Sequence, residues 1–265
     1  MPYEDHQRVA RQQERQMTSK EQMHFDLRAS SYETDIGQDY PQALKWQLIE
    51  KYSQPGNTVV DVGGANGRHA VDLAGLRREV TCVDLSPSML LQMRKRDEFR
   101  ALPQKQRPRP VVSRAQQLPI SSNSVDMSYC FATLLLMPDQ EKAISELVRI
   151  VRPGGYVILD IARPWNLGWI YWRRHYKKHG FPGIYPLSFK RTNTLFRGLK
   201  CHLEEKVATG FLSQLLFLPR VESRTKLREF IHAAGQSPDL DGRITGKVPL
   251  LANREYIVLR KDNRL

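Results

Sequence analysis

Apolar and polar positions change period repeatedly along the middle of the chain. Short runs rich in β-branched residues at 58–62, 79–84, 110–114, 124–131 and 155–161 read as strands, the apolar ones buried. Between the first two, Ala70, Leu73 and Ala74 recur at helical spacing with Val71 beside them, and Gly75 stops the pattern. A further helix follows the second strand, with Ser86 as its cap and Pro87 at its first position. Strands that alternate with helices predict a parallel sheet covered on both faces. Upstream, 24–32 and 40–52 read as two helices, while 3–23 is rich in Gln, Arg and Glu with little apolar period, either an exposed helix or a partly disordered segment. Downstream, 223–234 reads as an amphipathic helix closed by Gly235, 239–245 as a sixth strand and 255–260 as a terminal strand. No internal repeat is visible.

The first strand runs into Gly63-Gly64-Ala65-Asn66-Gly67. Small residues there let a ligand approach the backbone, and the amides of the following helix, with Asn66 as its expected cap, attract negative charge. The second strand delivers Asp84 at its carboxyl end, 17 residues after Gly67, where a carboxylate can accept from both hydroxyls of a ribose. The turn spaces its small residues as G-x-A-x-G, which departs from the G-x-G-x-x-G of dinucleotide-binding dehydrogenases.

Val60-Asp61-Val62-Gly63-Gly64-Ala65-Asn66-Gly67 resembles the first motif of the class I S-adenosyl-L-methionine (SAM)-dependent methyltransferases, with Ala65 in place of the middle glycine. Three further segments carry the resemblance. Ala115-Gln116-Gln117-Leu118-Pro119-Ile120 with Ser124-Val125-Asp126 is similar to the family's D-A-E-x-L-P-F stretch, although Arg114 stands where that stretch often has Asp. Glu146 through Gly155 matches E-x-x-R-V-L-K-P-G-G, and His24-Phe25-Asp26 through Tyr32 looks like the family's entry segment. The resemblance covers about residues 25–161, most closely the branch that methylates quinones, lipids and other small metabolites. It implies an α/β, Rossmann-like, doubly wound seven-stranded sheet, mostly parallel, in the order 3-2-1-4-5-7-6. Residues 1–52 would form a helical segment and lid, and 53–265 the cofactor domain with an insert at 163–203. The implied cofactor is SAM. Gly63, Gly64, Ala65 and Gly67 would approach its methionine, with Asp61 positioning the loop or the ammonium. Asp84 would hold the ribose; Leu85, Met89, Ala115 and Gln116 would surround the adenine. Tyr32 and Cys130 would complete the site. Arginine only donates, so at Arg114 the adenine amino group needs another acceptor, a backbone carbonyl or Gln116.

Charge refines the expectation about partners. The 265 residues carry a formal net charge of +13, yet Met1 to Val60 holds seven bases against nine acids. The excess lies in 94–114, with eight bases, and in 163–203, with nine bases, no acid and three of the four tryptophans. Read as a helix, 164–179 places Trp165, Trp169, Trp172 and Tyr176 on one side and spreads bases toward the other, the pattern of an interfacial helix at an anionic membrane surface. Closure of the core by those aromatics, with the bases merely solvated, is the plainer alternative. Nucleic acid is the rival partner, since bases interleaved with aromatics also bind phosphates, but no base-amino methylation motif or RNA-binding module accompanies them. A scaffold that has lost catalysis is a third reading, motivated by Ala65 and Arg114.

Cys82, Cys130 and Cys201 form no metal or disulfide spacing. No run approaches the length of a membrane span and the first residues are polar, so a cytoplasmic protein without a cleaved signal, peripheral to the membrane at most, is expected. Methyl transfer from a sulfonium is an in-line displacement for which positioning supplies roughly 7–11 kcal/mol, so no universal catalytic residue is required. His69, Tyr129 and His175 are the weak candidates for proton transfer. His175 and His179 share helical spacing, but the surrounding bases repel a cation and no metal site is expected. Acceptor identity, the methylated atom and oligomeric state are open from sequence.

Overall fold

The computed structural model describes residues 20–32, 40–165, 173–174, 177, 184–215, 221, 224–235 and 238–263. Seven strands form one sheet: β1 (Thr58–Val62), β2 (Glu79–Asp84), β3 (Arg109–Val112), β4 (Val125–Cys130), β5 (Val151–Ala162), β6 (Cys201–Thr209) and β7 (Arg254–Lys261). Their order is β3-β2-β1-β4-β5-β7-β6, as the resemblance implies. β1 pairs in parallel with β2 and β4, β2 with β3 and β4 with β5, whereas β7 runs antiparallel to β5 and β6. The order reverses between β1 and β4, so the crevice for a ligand opens at the carboxyl ends of these strands.

Alternation in β1 divides the core. Val60 and Val62 face a cluster with Ile144 and Leu147 from helix Gln140–Ile150, while Val59 faces one with Leu48 and Ile49 from helix Tyr40–Tyr52 and Leu73 from helix Arg68–Gly75. Helix Tyr40–Tyr52 is therefore part of the sheet's covering layer. Helix Pro87–Lys95 follows β2 with the expected cap, Ser86 Oγ accepting from Met89 N at 3.1 Å.

Two local expectations are corrected. The helix after β1 starts at Arg68 with Gly67, at φ 68°, as its cap, one residue beyond Asn66. The sixth strand is Cys201–Thr209, and 239–245 lies inside helix Pro238–Lys247. That helix is held by the fully buried Asp241, which accepts from Thr209 Oγ1 (3.0 Å), Gly210 N (2.6 Å) and Leu212 N (2.9 Å). The sequence HLEEK hid β6 because an edge strand carries charge on its open side, where charge also deters pairing with another chain. Of the basic segment at 163–203, Arg163 is buried against Glu255, Phe189–Gly198 is a helix, and Cys201–Leu203 opens β6. Trp165 is exposed, whereas Trp169, Trp172, His175, Tyr176 and His179 lie outside the described residues.

Candidate functional site

The turn after β1 folds back onto β2. Gly63 N and Gly64 N donate to Val83 O at 2.8 and 3.1 Å, and Gly67 N donates to Gly64 O at 2.8 Å. A Cβ on Gly64 would stand 2.5 Å from Cys82 Sγ and 2.7 Å from Asp61 Oδ2, which explains the glycine by close approach. Ala65 occupies the left-handed region at φ 49°, so the chain follows the path a glycine would take and bears the strain of the extra methyl, about 1–2 kcal/mol. Asp84 fixes that path. Its Oδ2 accepts from Ala65 N and its Oδ1 from Ser86 N, each at 2.8 Å. The amide of the turn is thus already directed at a carboxylate, and the carboxylate keeps further lone pairs for a ligand.

A cleft opens over this arrangement. It brings together Tyr32, Gly63, Ala65, Asp84, Leu85, Met89, Ala115 and Gln116 from the sequence-derived set. Asp61, Gly64, Gly67 and Cys130 stand behind its wall rather than among the lining residues. Gly67 sits against the Met93 side chain, where a Cβ would meet Sδ at 2.3 Å. Cys130 is fully buried in the core, and beyond it the chain turns the wall over to Phe131, Ala132, Thr133, Leu136 and Met137. The sequence pattern, whose strand runs to 131, singles out none of these five, because the wall is built by the chain reversal beyond β4. Ala132, at φ 55°, reverses the chain there and donates its N–H to Asp160 Oδ1 at 2.7 Å.

The N-terminal helix, residues 20–28, forms the facing wall with Glu21 and Phe25. Asp26 docks it: its Oδ1 accepts from Ser86 Oγ at 2.5 Å and from Ser88 N at 3.2 Å, at the amino end of helix Pro87–Lys95 where a negative charge is favoured.

Two of the weak catalytic candidates, His69 and Tyr129, sit behind the turn. His69 stacks on Trp46 and meets Tyr129 and Phe131 edge-on, with ring centroids 6.3–6.5 Å apart. Burial, with Lys45 and Arg68 nearby, lowers its imidazole to about 3, too weak a base to hold a proton at neutral pH. Tyr129 is fully buried, and burial together with Asp61 pushes its hydroxyl well up. His175 lies outside the described residues.

Two buried acids border the turn. Burial raises Asp61 to about 7 against the opposing pull of the Tyr129 hydroxyl, and raises Asp84 to about 6 against its backbone amides. A carboxyl whose folded value lies above its unfolded one holds a proton more tightly when folded, so stability is lost as pH rises through the folded value. Asp61→Asn should therefore raise the melting temperature of the ligand-free chain at pH 8 and change it little at pH 4, the difference reaching a few kcal/mol. Equal shifts at both pH values in thermal denaturation would refute this assignment.

Residues 60–159 match the family model described as a methyltransferase domain. A demethylmenaquinone methyltransferase of Desulfitobacterium hafniense is 30% identical over 140 residues, covering 48% of this chain and 53% of that protein. A ubiquinone/menaquinone biosynthesis C-methyltransferase of Brucella canis is 33% identical over 105 residues, covering 38% of each. The chain thus spans about half the length, or less, of these curated relatives. The crystal structure of geranyl diphosphate C-methyltransferase from Streptomyces coelicolor superposes with a TM-score of 0.57 at 15% identity, covering 84% of this chain and 79% of that one. That likeness speaks for the fold alone. Over residues 60–159, then, this chain is similar to the methyltransferase domain family, in the strand order its fold shows.

Proposed function

We propose that the chain binds SAM in the cleft over Asp84 and transfers its methyl group to a small, largely apolar acceptor. The carrying observation is the continuous wall from Asp84 and the turn at Gly63–Ala65 to the apolar group Phe25, Phe131, Leu136 and Met137. A ribose at Asp84 leaves an apolar slot for a flat base on the side of Leu85, Met89 and Ala115. The opposite side, past Ala65, leads to Phe131 and Thr133, where a methyl donor and an acceptor can meet. When bound, SAM supplies a methyl on a sulfonium, already activated for displacement. The protein's part is orientation and exclusion of water, for which an apolar wall suffices. The named activities of the quinone-methylating relatives are in keeping with such an acceptor.

Tyr185, within the basic segment, comes up beside the same wall: its N donates to Leu135 O, next to Leu136, at 2.7 Å. An amphiphilic acceptor presented at an anionic membrane surface fits a base-rich segment at that position. No described helix is long and apolar enough to cross a membrane. The RNA reading draws less support. Arg77, Lys105, Arg107 and Arg109 gather around Thr58 and Glu79, at the amino ends of the strands, whereas the cleft lies at their carboxyl ends.

Calorimetric titration of the chain with SAM and with its demethylated product S-adenosylhomocysteine tests the cofactor. Micromolar binding of both is expected, and folded protein that binds neither at high micromolar concentration would overturn the reading. Labelled methyl transfer to quinols in mixed micelles, with total RNA in parallel, tests the acceptor class; label in RNA alone would replace it.

A further inference from the structure

Arg114 poses a problem of hydrogen-bond inventory within the proposed cofactor site. A purine carrying an exocyclic amino group offers two N–H donors at that edge, and a guanidinium has no lone pair to receive them. Part of the nearby backbone is already engaged. Arg114 O accepts from Gln117 N at 3.1 Å and from Ser113 Oγ at 3.3 Å, closing the turn that follows β3. The same single hydroxyl proton of Ser113 is shared with Gln117 O at the shorter 2.8 Å, and Ser113 N is used on Asp84 O at 3.0 Å.

An acceptor stands on the opposite wall. Glu21 lines the cleft with Ser113, Arg114, Ala115 and Gln116, although about ninety residues of chain separate them. Asp26, one helical turn and a residue further along the same helix, fixes its position through Ser86 and Ser88. We infer that Glu21 receives the amino group of the bound adenine, so that the N-terminal helix contributes a recognition contact and Arg114 serves as the counter-ion of that carboxylate. This inference rests on the SAM-binding reading above. It turns Arg114 from an obstacle into one member of an acid–base pair that spans the cleft. Burial raises the Glu21 carboxyl, and the charge of Arg114 offsets part of that rise. A carboxylate also distinguishes ligands by the amine itself, because a buried ion left without its donor is costly.

The test is a cycle between protein and ligand. S-Adenosylhomocysteine and its analogue whose purine lacks the amino group are titrated into the wild-type chain and into Glu21→Ala, Glu21→Gln and Gln116→Ala variants. In the wild type, removing the amine is expected to weaken binding about tenfold or more, the value of a hydrogen bond to a charged group. In Glu21→Ala the two ligands should bind alike, and Glu21→Gln, which keeps an acceptor oxygen, should restore part of the difference. A Glu21→Ala variant that weakens both ligands equally and keeps the wild-type ratio would overturn the inference, because the helix would then act only as packing. Loss of the ratio in Gln116→Ala but not in Glu21→Ala would assign the contact to Gln116 and overturn it as well. A wild-type chain that binds neither ligand refutes the SAM-binding reading itself, an outcome distinct from binding without discrimination at Glu21.

Discussion

Replacing Asp84 by asparagine is expected to lower the affinity for SAM at least a hundredfold while the chain stays folded. Two effects add. The ionised carboxylate is the group able to accept from two ribose hydroxyls while also receiving Ala65 N and Ser86 N, and an amide has only one accepting oxygen for these four donors. Charge-assisted hydrogen bonds contribute about 1.5–3 kcal/mol each, so losing one or two accounts for a hundredfold. Asparagine is the informative variant because alanine would also leave the two backbone amides unsatisfied and confound binding with folding. The wild type should show the same dependence through pH. Asp84 titrates at about 6, so affinity should hold above that value and fall as the pH drops through it. Calorimetry at pH 8 and pH 5 measures the effect; an affinity indifferent to both the substitution and the pH would move the ribose away from Asp84.

The second large effect is expected at Gly63. The residue has φ 73°, and an added Cβ would stand 2.2 Å from Thr133 Oγ1 and 2.6 Å from its Cγ2. Thr133 cannot turn away cheaply, since its hydroxyl donates to Phe131 O at 3.0 Å and it stands where the wall beyond β4 meets the turn beyond β1. Gly63→Ala therefore combines backbone strain with overpacking and should cost about 2–4 kcal/mol, read as a lower urea midpoint with unchanged slope. It should also weaken cofactor binding, because relief of the clash displaces the turn or the facing wall. Gly75→Ala is the control. It ends a helix, its nearest neighbour would be Leu102 Cδ2 at 3.9 Å, and the change should be neutral or stabilising by up to about 1 kcal/mol. Equal costs at both positions would show that the contact with Thr133 is not the cause.

The strands and the acid at the end of β2 were legible in sequence because each is a local pattern. Thr58–Val62 is buried along nearly its whole length, and such a strand must be written in apolar residues. β6 was illegible for the converse reason: its burial is partial, its charges face outward, and its register shifts between Leu203 and Glu205. The site divides in the same manner. Gly63, Ala65, Asp84 and Leu85 come from contiguous motifs, so their spacing announces them. Glu21 and Thr133 reach the cleft through tertiary placement, one by the docking of a helix and the other by the reversal at Ala132. No local periodicity encodes either. Behind the wall, Asp61 and Gly64 belong to the motif yet act on the turn itself, a distinction that spacing alone does not make.

The docking of the N-terminal helix also bears on kinetics. Any ligand held between Glu21, Phe25 and Asp84 faces a wall secured by the hydrogen bonds of Asp26 to Ser86 and Ser88. If exchange of product for fresh cofactor requires that wall to part, those bonds break once per turnover and lengthen the dwell time of whatever is bound. Weakening the Asp26 latch would then shorten the residence of product along with that of the cofactor, and raise turnover wherever release is the slow step.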